Sequence, residues 1–196
     1  MNNNENRFTP AREFCPHPEY WHSADSESTE DEVSLLVAAF VRALQPEFVL
    51  ETGTAYGITA WNIGLALYDN GHGKLVSLDS DKSRIKDAKE YIAHKSWATF
   101  NHPWAVPVEV LHQNSMEYTP PQNIDFAFFD SWQQGRGEEF RRFYNLGLLK
   151  GGTIVAFHDT APHHAVLPYI QELERDKLIK AIYLRTPRGI ALAQVL

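Results

Sequence analysis

The chain has 196 residues, of which 43% are apolar and 22% charged, and a formal net charge of −7. That is enough for one domain with a full core, and the acidity argues against a nucleic-acid backbone as partner, which needs a basic surface. No apolar run reaches the roughly 18 residues that span a bilayer, the asparagine-rich start has neither a basic nor an apolar signal region, and a single cysteine, Cys15, excludes an internal disulfide framework. A cytoplasmic protein without membrane association is expected.

Residues 1–28 are polar and interrupted by Pro10, Pro16 and Pro18; they read as an arm that Phe8, Phe14, Tyr20 and Trp21 can pin to a domain over 29–196. Thr29 and Glu32 have the spacing of a capping box. The apolar positions Val33, Leu36, Val37, Phe40, Val41 and Leu44 then follow a helical period, and Gln45-Pro46 stops it. Phe48-Val49-Leu50 belongs to a strand over 47–52, Gly53 and Gly57 follow in a bare turn, and an apolar helix occupies 56–68. A turn stripped of side chains lets a ligand approach the backbone, and a helix start offers N–H donors. Glu51 would repel a pyrophosphate there and would suit a ligand with an ammonium group.

Lys74 to Leu78 reads as a second strand ending at Asp79, and a helix marked by Ile85, Ala88, Tyr91 and Ile92 is expected to end before Trp97. After a loop over 99–107, a third strand over 108–112 runs into Gln113-Asn114-Ser115. Ile124 to Phe129 is a buried strand ending at Asp130, and Phe140, Phe143 and Tyr144 share one helix face. Thr153 to Phe157 is a fifth strand ending at His158-Asp159, followed by a helix around Leu167, Ile170 and Leu173. Two last strands, 178–185 and 190–195, flank Thr186-Pro187-Arg188-Gly189, a turn so short that they must pair antiparallel.

Strands alternating with helices imply an α/β fold. The expected form is a Rossmann-like, doubly wound, mostly parallel seven-stranded sheet with helices on both faces and an antiparallel C-terminal hairpin strand. Ligands of such sheets bind outside the carboxyl ends of the strands. Glu51, Gly53, Asp79, Asn114, Ser115, Asp130, His158 and Asp159 all stand at such ends and should converge on one rim. A nicotinamide dinucleotide calls for G-x-G-x-x-G, from which Gly53-x-x-x-Gly57 departs. S-adenosylmethionine (SAM) has no phosphate, and its sulfonium and ammonium charges are compatible with an acidic rim.

On Val49-Leu50-Glu51-Thr52-Gly53-Thr54-Ala55-Tyr56-Gly57 the chain resembles the class I SAM-dependent methyltransferases, from Thr29 to the C-terminus. Within them it is similar to the small O-methyltransferases, including the catechol and caffeoyl-coenzyme A enzymes and the methyltransferase domain 24 group. Phe128-Phe129-Asp130-Ser131-Trp132 and the segment from Leu148 to Asp159 carry that narrower likeness. The resemblance implies that Gly53 and Gly57 lie beside the methionine end, with Thr59 near its carboxylate. Asp79 would hold the ribose hydroxyls, Asn114 and Ser115 would edge the adenine, and Trp132 would stack on it. Glu51, Thr54, Ser80 and Asp130 complete the implied cofactor set. Asp130, His158 and Asp159 would ligate a divalent metal, with Asp130 and His158 catalytic.

Two departures bear on the chemistry. The family's Asp-Asn pair is His158-Asp159 here, which suits a transition metal better than Mg²⁺. Gln133 stands where the catechol enzyme has its catalytic lysine, and an amide cannot take a proton. A metal or His158 is then left to activate the acceptor oxygen, with His163 and His164 nearby. The expected activity is SAM-dependent O-methylation of a small hydroxylated acceptor by a chain that forms a homodimer. The rivals are a NAD-dependent oxidoreductase and a catalytically silent methyltransferase-like binding protein.

Overall fold

Phe48 and Leu50 pack on one face of a central sheet and Val49 on the other; Phe126 and Phe128 alternate with Ala127 and Phe129 in the same way. Strands apolar on both sides need helices on both sides. The computed structural model describes residues 14–25 and 28–196, so the expected contact of Phe8 and the break at Pro10 fall outside it. Its seven-stranded sheet comprises β1 (Phe48–Thr52), β2 (Lys74–Asp79), β3 (Val108–His112), β4 (Phe126–Phe129), β5 (Ile154–His158), β6 (Ile179–Leu184) and β7 (Ile190–Val195). The order is β3-β2-β1-β4-β5-β7-β6, and β7 runs antiparallel to both its neighbours while the other pairings are parallel.

Helices α1 (Asp31–Leu44), α2 (Ile58–Asn70) and α3 (Lys82–Phe100) cover one face through Val33, Val37, Ile63, Leu67, Ile85 and Ile92. On the other face α4 (Arg136–Asn145) and α5 (Leu167–Arg175) contribute Phe140, Phe143, Ile170 and Leu173. Phe129 anchors that side, its ring stacked on Phe157 at 5.1 Å. The chain winds outward from β1 through β2 to β3 and then returns to β4 on the other side of β1. The crevice where the winding reverses therefore opens between β1 and β4, as expected for a doubly wound sheet.

Three local expectations give way. The capping box does not form: the Thr29 hydroxyl donates to Asp130 instead, and Glu32 accepts from the His22 backbone N–H at 3.1 Å, leaving Glu30 as the N-cap. Tertiary partners outcompete a local cap when they bury it. Helix α3 runs on through Trp97 to Phe100, whose ring packs on Tyr68 at 4.4 Å and near Trp61. Of the arm, Trp21 packs against the helical face, whereas Tyr20 is exposed. No helix among the described residues is long and apolar enough to cross a membrane.

Candidate active site

A cavity of about 690 Å³ opens at the carboxyl ends of the strands, a size ordinary for a nucleoside-bearing ligand. Its floor is the turn after β1. Gly53 has φ +88°, and a Cβ there would stand 2.2 Å from the Asp130 carbonyl oxygen, so only glycine lets the β1 and β4 turns meet. The turn hangs on β2: the Gly53 N–H donates to Leu78 O at 2.8 Å. Asp79 receives the Ala55 N–H at 3.0 Å and the Asp81 N–H at 2.9 Å, which fix its carboxylate on the cavity wall. Gly57 serves another purpose. It caps α2 in a left-handed conformation and brings that helix against Ala88 of α3, and it does not line the cavity.

Glu51 does not reach the cavity either. It is 1% exposed behind the turn and accepts from the Ser77 hydroxyl at 2.5 Å, and Ser77 in turn meets Thr54. Burial pushes its carboxyl up to about 8; the Ser77 hydrogen bond opposes this, and the nearby Asp130 and Asp79 add to it. A carboxyl buried behind the turn does not reach a ligand's ammonium group in the cavity, so that expectation is corrected.

Thr54, Thr59, Ser80, Asn114 and Ser115 do line the cavity. Asn114 is held by an Asx turn, its Oδ1 accepting from the Met116 N–H at 2.9 Å. Trp132 also lines it; at 66% exposed it is no core aromatic, and its ring rests on Gly135, where a Cβ would come within 2.6 Å. Glu139, which the sequence did not mark, is buried in the same wall and gathers the hydroxyls of Thr52 (3.0 Å), Ser131 (2.7 Å) and Ser115.

The far wall holds a cluster of six ionisable side chains, of which Asp130, Arg136, Asp159 and Arg188 line the cavity and His158 and Glu30 sit behind them. His158 is 0% exposed; its Nδ1 donates to Asp130 Oδ1 at 2.9 Å and its Nε2 to Glu30 Oε2 at 2.6 Å. Glu30 also accepts from the Arg188 N–H at 2.9 Å and the Thr186 hydroxyl at 3.2 Å. Arg136 spans Asp130 Oδ1 (3.0 Å) and Asp159 Oδ2 (2.9 Å), and Arg188 Nε meets Asp159 Oδ1 at 2.5 Å. Burial alone would lower the imidazole, but Asp130, Asp159 and Glu30 outweigh it and raise His158 to about 10, so both nitrogens carry protons. Burial likewise opposes ionisation of Asp159, yet His158, Arg136 and Arg188 hold it far below the usual carboxylate range. Three carboxylates thus face three cations, and the acidity expected of the rim is largely answered from within. The part that Glu30, Thr186, Arg136 and Arg188 play here was invisible to sequence reasoning, since a lone polar or charged residue in a loop or helix start gives no local sign of burial.

The metal expectation can be tested against this arrangement. Asp130, His158 and Asp159 each offer a donor atom, and these lie within 4.8 Å of one another. The donor set does not fit an ion, however. Both ring nitrogens of His158 are already engaged by carboxylates, and a guanidinium bridges Asp130 and Asp159. Nor does His158 line the cavity, which leaves it unable to act there as a base. Gln133 is locked as well. Its amide N–H₂ donates to His164 Nδ1 at 2.9 Å and its oxygen accepts the Ala165 N–H at 3.2 Å. His164, whose Nε2 is 3.7 Å from Asp159, is lowered by burial to about 4 and stays neutral, so that approach is not an ion pair.

A family model for a methyltransferase domain matches residues 50–160. Catechol O-methyltransferase B of Danio rerio is 23% identical over 180 residues, which cover 88% of this chain; the chain spans 62% of that relative's length. Among solved structures, the SAH-bound methyltransferase of Podospora anserina superposes with a TM-score of 0.72 at 16% identity, over 87% of this chain and 80% of that one. The O-methyltransferase TomG of Streptomyces achromogenes, involved in tomaymycin synthesis and solved with SAM, gives 0.65 at 18% identity over 100% and 91%. The O-methyltransferase from Bacillus cereus, solved with SAH, gives 0.64 at 16% over 87% and 84%.

Proposed function

Because the chain belongs to the methyltransferase-domain family, we propose that it transfers the methyl group of SAM to an oxygen of a small acceptor. One observation carries this reading. The bare Gly53 turn, the doubly anchored Asp79 and the exposed Trp132 frame a single cavity at the reversal of strand order. When bound, SAM supplies a methyl carbon activated by the sulfonium it leaves. Asp79 accepts the ribose hydroxyls, since its two oxygens are already aimed by backbone amides and keep lone pairs facing the cavity. Trp132 offers a flat apolar face for the base, with Asn114 and Ser115 at its edge. Gly53, Thr54 and Thr59 present a floor of small residues and the uncapped start of α2 to the amino-acid end, whose carboxylate suits a helix N-terminus.

His158 acts as a positioning residue, tying Asp130 to Glu30 from behind the wall. With Gln133 and His164 hydrogen-bonded to each other, rate enhancement comes mainly from holding acceptor and donor in line; as the C–O bond forms and the C–S bond breaks, the acceptor's hydroxyl proton leaves to solvent through the open cavity. A small-molecule acceptor, a cytoplasmic setting and a homodimer belong to the same reading, and analytical ultracentrifugation tests the last. Calorimetry with SAM and with its demethylated product S-adenosylhomocysteine (SAH) tests the core of it. Asp79→Ala should weaken SAH binding by at least about tenfold, and no heat with either compound would refute the assignment. The locked Gln133 favours one second reading, a cofactor-binding protein without turnover. Methylated product from a panel of hydroxylated acceptors would dismiss it.

A further inference from the structure

Arg136 occupies an unusual place for a guanidinium. It is the first residue of α4, directly after the turn that carries Trp132, and its side chain is 3% exposed. Nη2 contacts Asp130 Oδ1 at 3.0 Å and Asp159 Oδ2 at 2.9 Å, so one nitrogen bridges two of the three side chains that otherwise form an ion-binding group. The rest of the fork is used too: Nε and Nη2 donate to Ser131 O at 2.9 and 2.6 Å, and Nη1 donates to His158 O at 2.5 Å. The third member, His158, has both ring nitrogens engaged by carboxylates, Nδ1 by Asp130 and Nε2 by Glu30. Arg188 closes the other oxygen of Asp159.

A divalent cation needs carboxylate oxygens and an imidazole lone pair at roughly 2.0–2.6 Å. Here those oxygens already converge on the guanidinium groups of Arg136 and Arg188, and a dication added beside them would bring like charges together in a poorly solvated place. We propose that Arg136 stands in the cation position of the Asp130–His158–Asp159 group, so that the chain holds no divalent ion there and its methyl transfer needs none. The second half rests on the reading of the chain as a methyltransferase; the first half does not.

The test uses tag-free protein purified without chelator. Elemental analysis, calorimetric titration with MgCl₂ and MnCl₂, and melting with and without EDTA are applied to the parent chain and to Arg136→Gln. The parent should carry substoichiometric metal, give no saturable heat and melt at the same temperature in EDTA. Arg136→Gln leaves two carboxylates sharing no guanidinium and should take up Mn²⁺ at least about tenfold more tightly than the parent. One equivalent of bound metal in the parent, or a Kd for either ion below about 10 μM, overturns the proposal. Should Arg136→Gln fail to fold, the parent measurements still decide, and Arg136→Lys, which keeps the charge, should remain metal-free. SAH titration of the same preparation in EDTA separates the two readings. Binding or turnover lost only in EDTA overturns metal independence, whereas SAH that binds under no condition removes the methyltransferase reading and leaves the metal result standing.

Discussion

Glu51 offers a sharp test of the site's electrostatics, because its replacement by glutamine removes the titratable proton while keeping shape and an acceptor for Ser77. The folded state holds the Glu51 proton until about pH 8, whereas an ordinary glutamate loses it near 4.5. Between those values the native state binds one more proton than the unfolded state, so the linkage slope is negative and stability falls as pH rises. The loss is about 1.4 kcal/mol per pH unit and totals about 5 kcal/mol by pH 8, above which it is constant. Glu51→Gln removes this loss. Whatever fixed cost its amide N–H₂ incurs is the same at every pH and drops out of the slope. For a chain of this size 1 kcal/mol corresponds to roughly 2–4 °C, so the melting curve of the variant should rise against the parent's by on the order of 10 °C between pH 5 and 8.5. Differential scanning calorimetry across that range is the assay. Melting temperatures that run parallel with pH would mean that Glu51 is ionised in the fold and that the buried turn is misread.

The other expectations are briefer. Gly53→Ala drives a Cβ into the Asp130 carbonyl at positive φ and should cost at least about 4 kcal/mol in urea unfolding, whereas Gly152→Ala, at φ +95° but with open space, should cost about 1 kcal/mol. Equal costs would refute the packing argument. Trp132→Ala should leave the melting temperature nearly unchanged and weaken SAH binding about ten- to a hundredfold, as loss of a stacking face does; unaltered affinity would place the base elsewhere. Glu30→Ala strands His158 and the Arg188 turn and should cost about 3–5 kcal/mol at pH 7. His158 is raised to about 10, so its contribution is full below pH 6.5 and is lost as pH climbs through 10. The Glu30→Ala penalty should shrink over the same interval, and a penalty independent of pH would count against an ionic partner.

Where residues report their surroundings through a period, the chain was easy to read. The alternation of Phe126, Ala127, Phe128 and Phe129 announces a strand covered on two faces, and Gly53 with Asp79 announces where the cavity opens. The failures share a cause. Thr29 and Glu32 look like a cap because their spacing is right, yet each found a partner through the fold, Asp130 for one and His22 for the other. Glu51 and His158 stand at strand ends like Asp79, and nothing local distinguishes a side chain facing the cavity from one turned beneath it. Arg136 and Arg188 look like solvated charges until the tertiary structure brings the carboxylates to them. Pairing in sequence space is blind to such contacts, since each is fixed by elements that are far apart along the chain.

The Glu30 carboxylate, finally, sets an order of events for folding. Its hydroxyl and amide donors, Thr186 and Arg188, lie 156 and 158 residues further on, across nearly the whole fold. A growing chain exposes Glu30 early and can assemble β1 to β5 around it, but the acid has no complete set of partners until the last hairpin turn emerges. Contacts of that span are slow to close. They also make the native state conditional on that hairpin, so a product cut short before residue 186 would keep the Glu30–His158 contact but leave the buried acid without Thr186 and Arg188. Such a fragment should be visible to proteolysis while the finished chain is not.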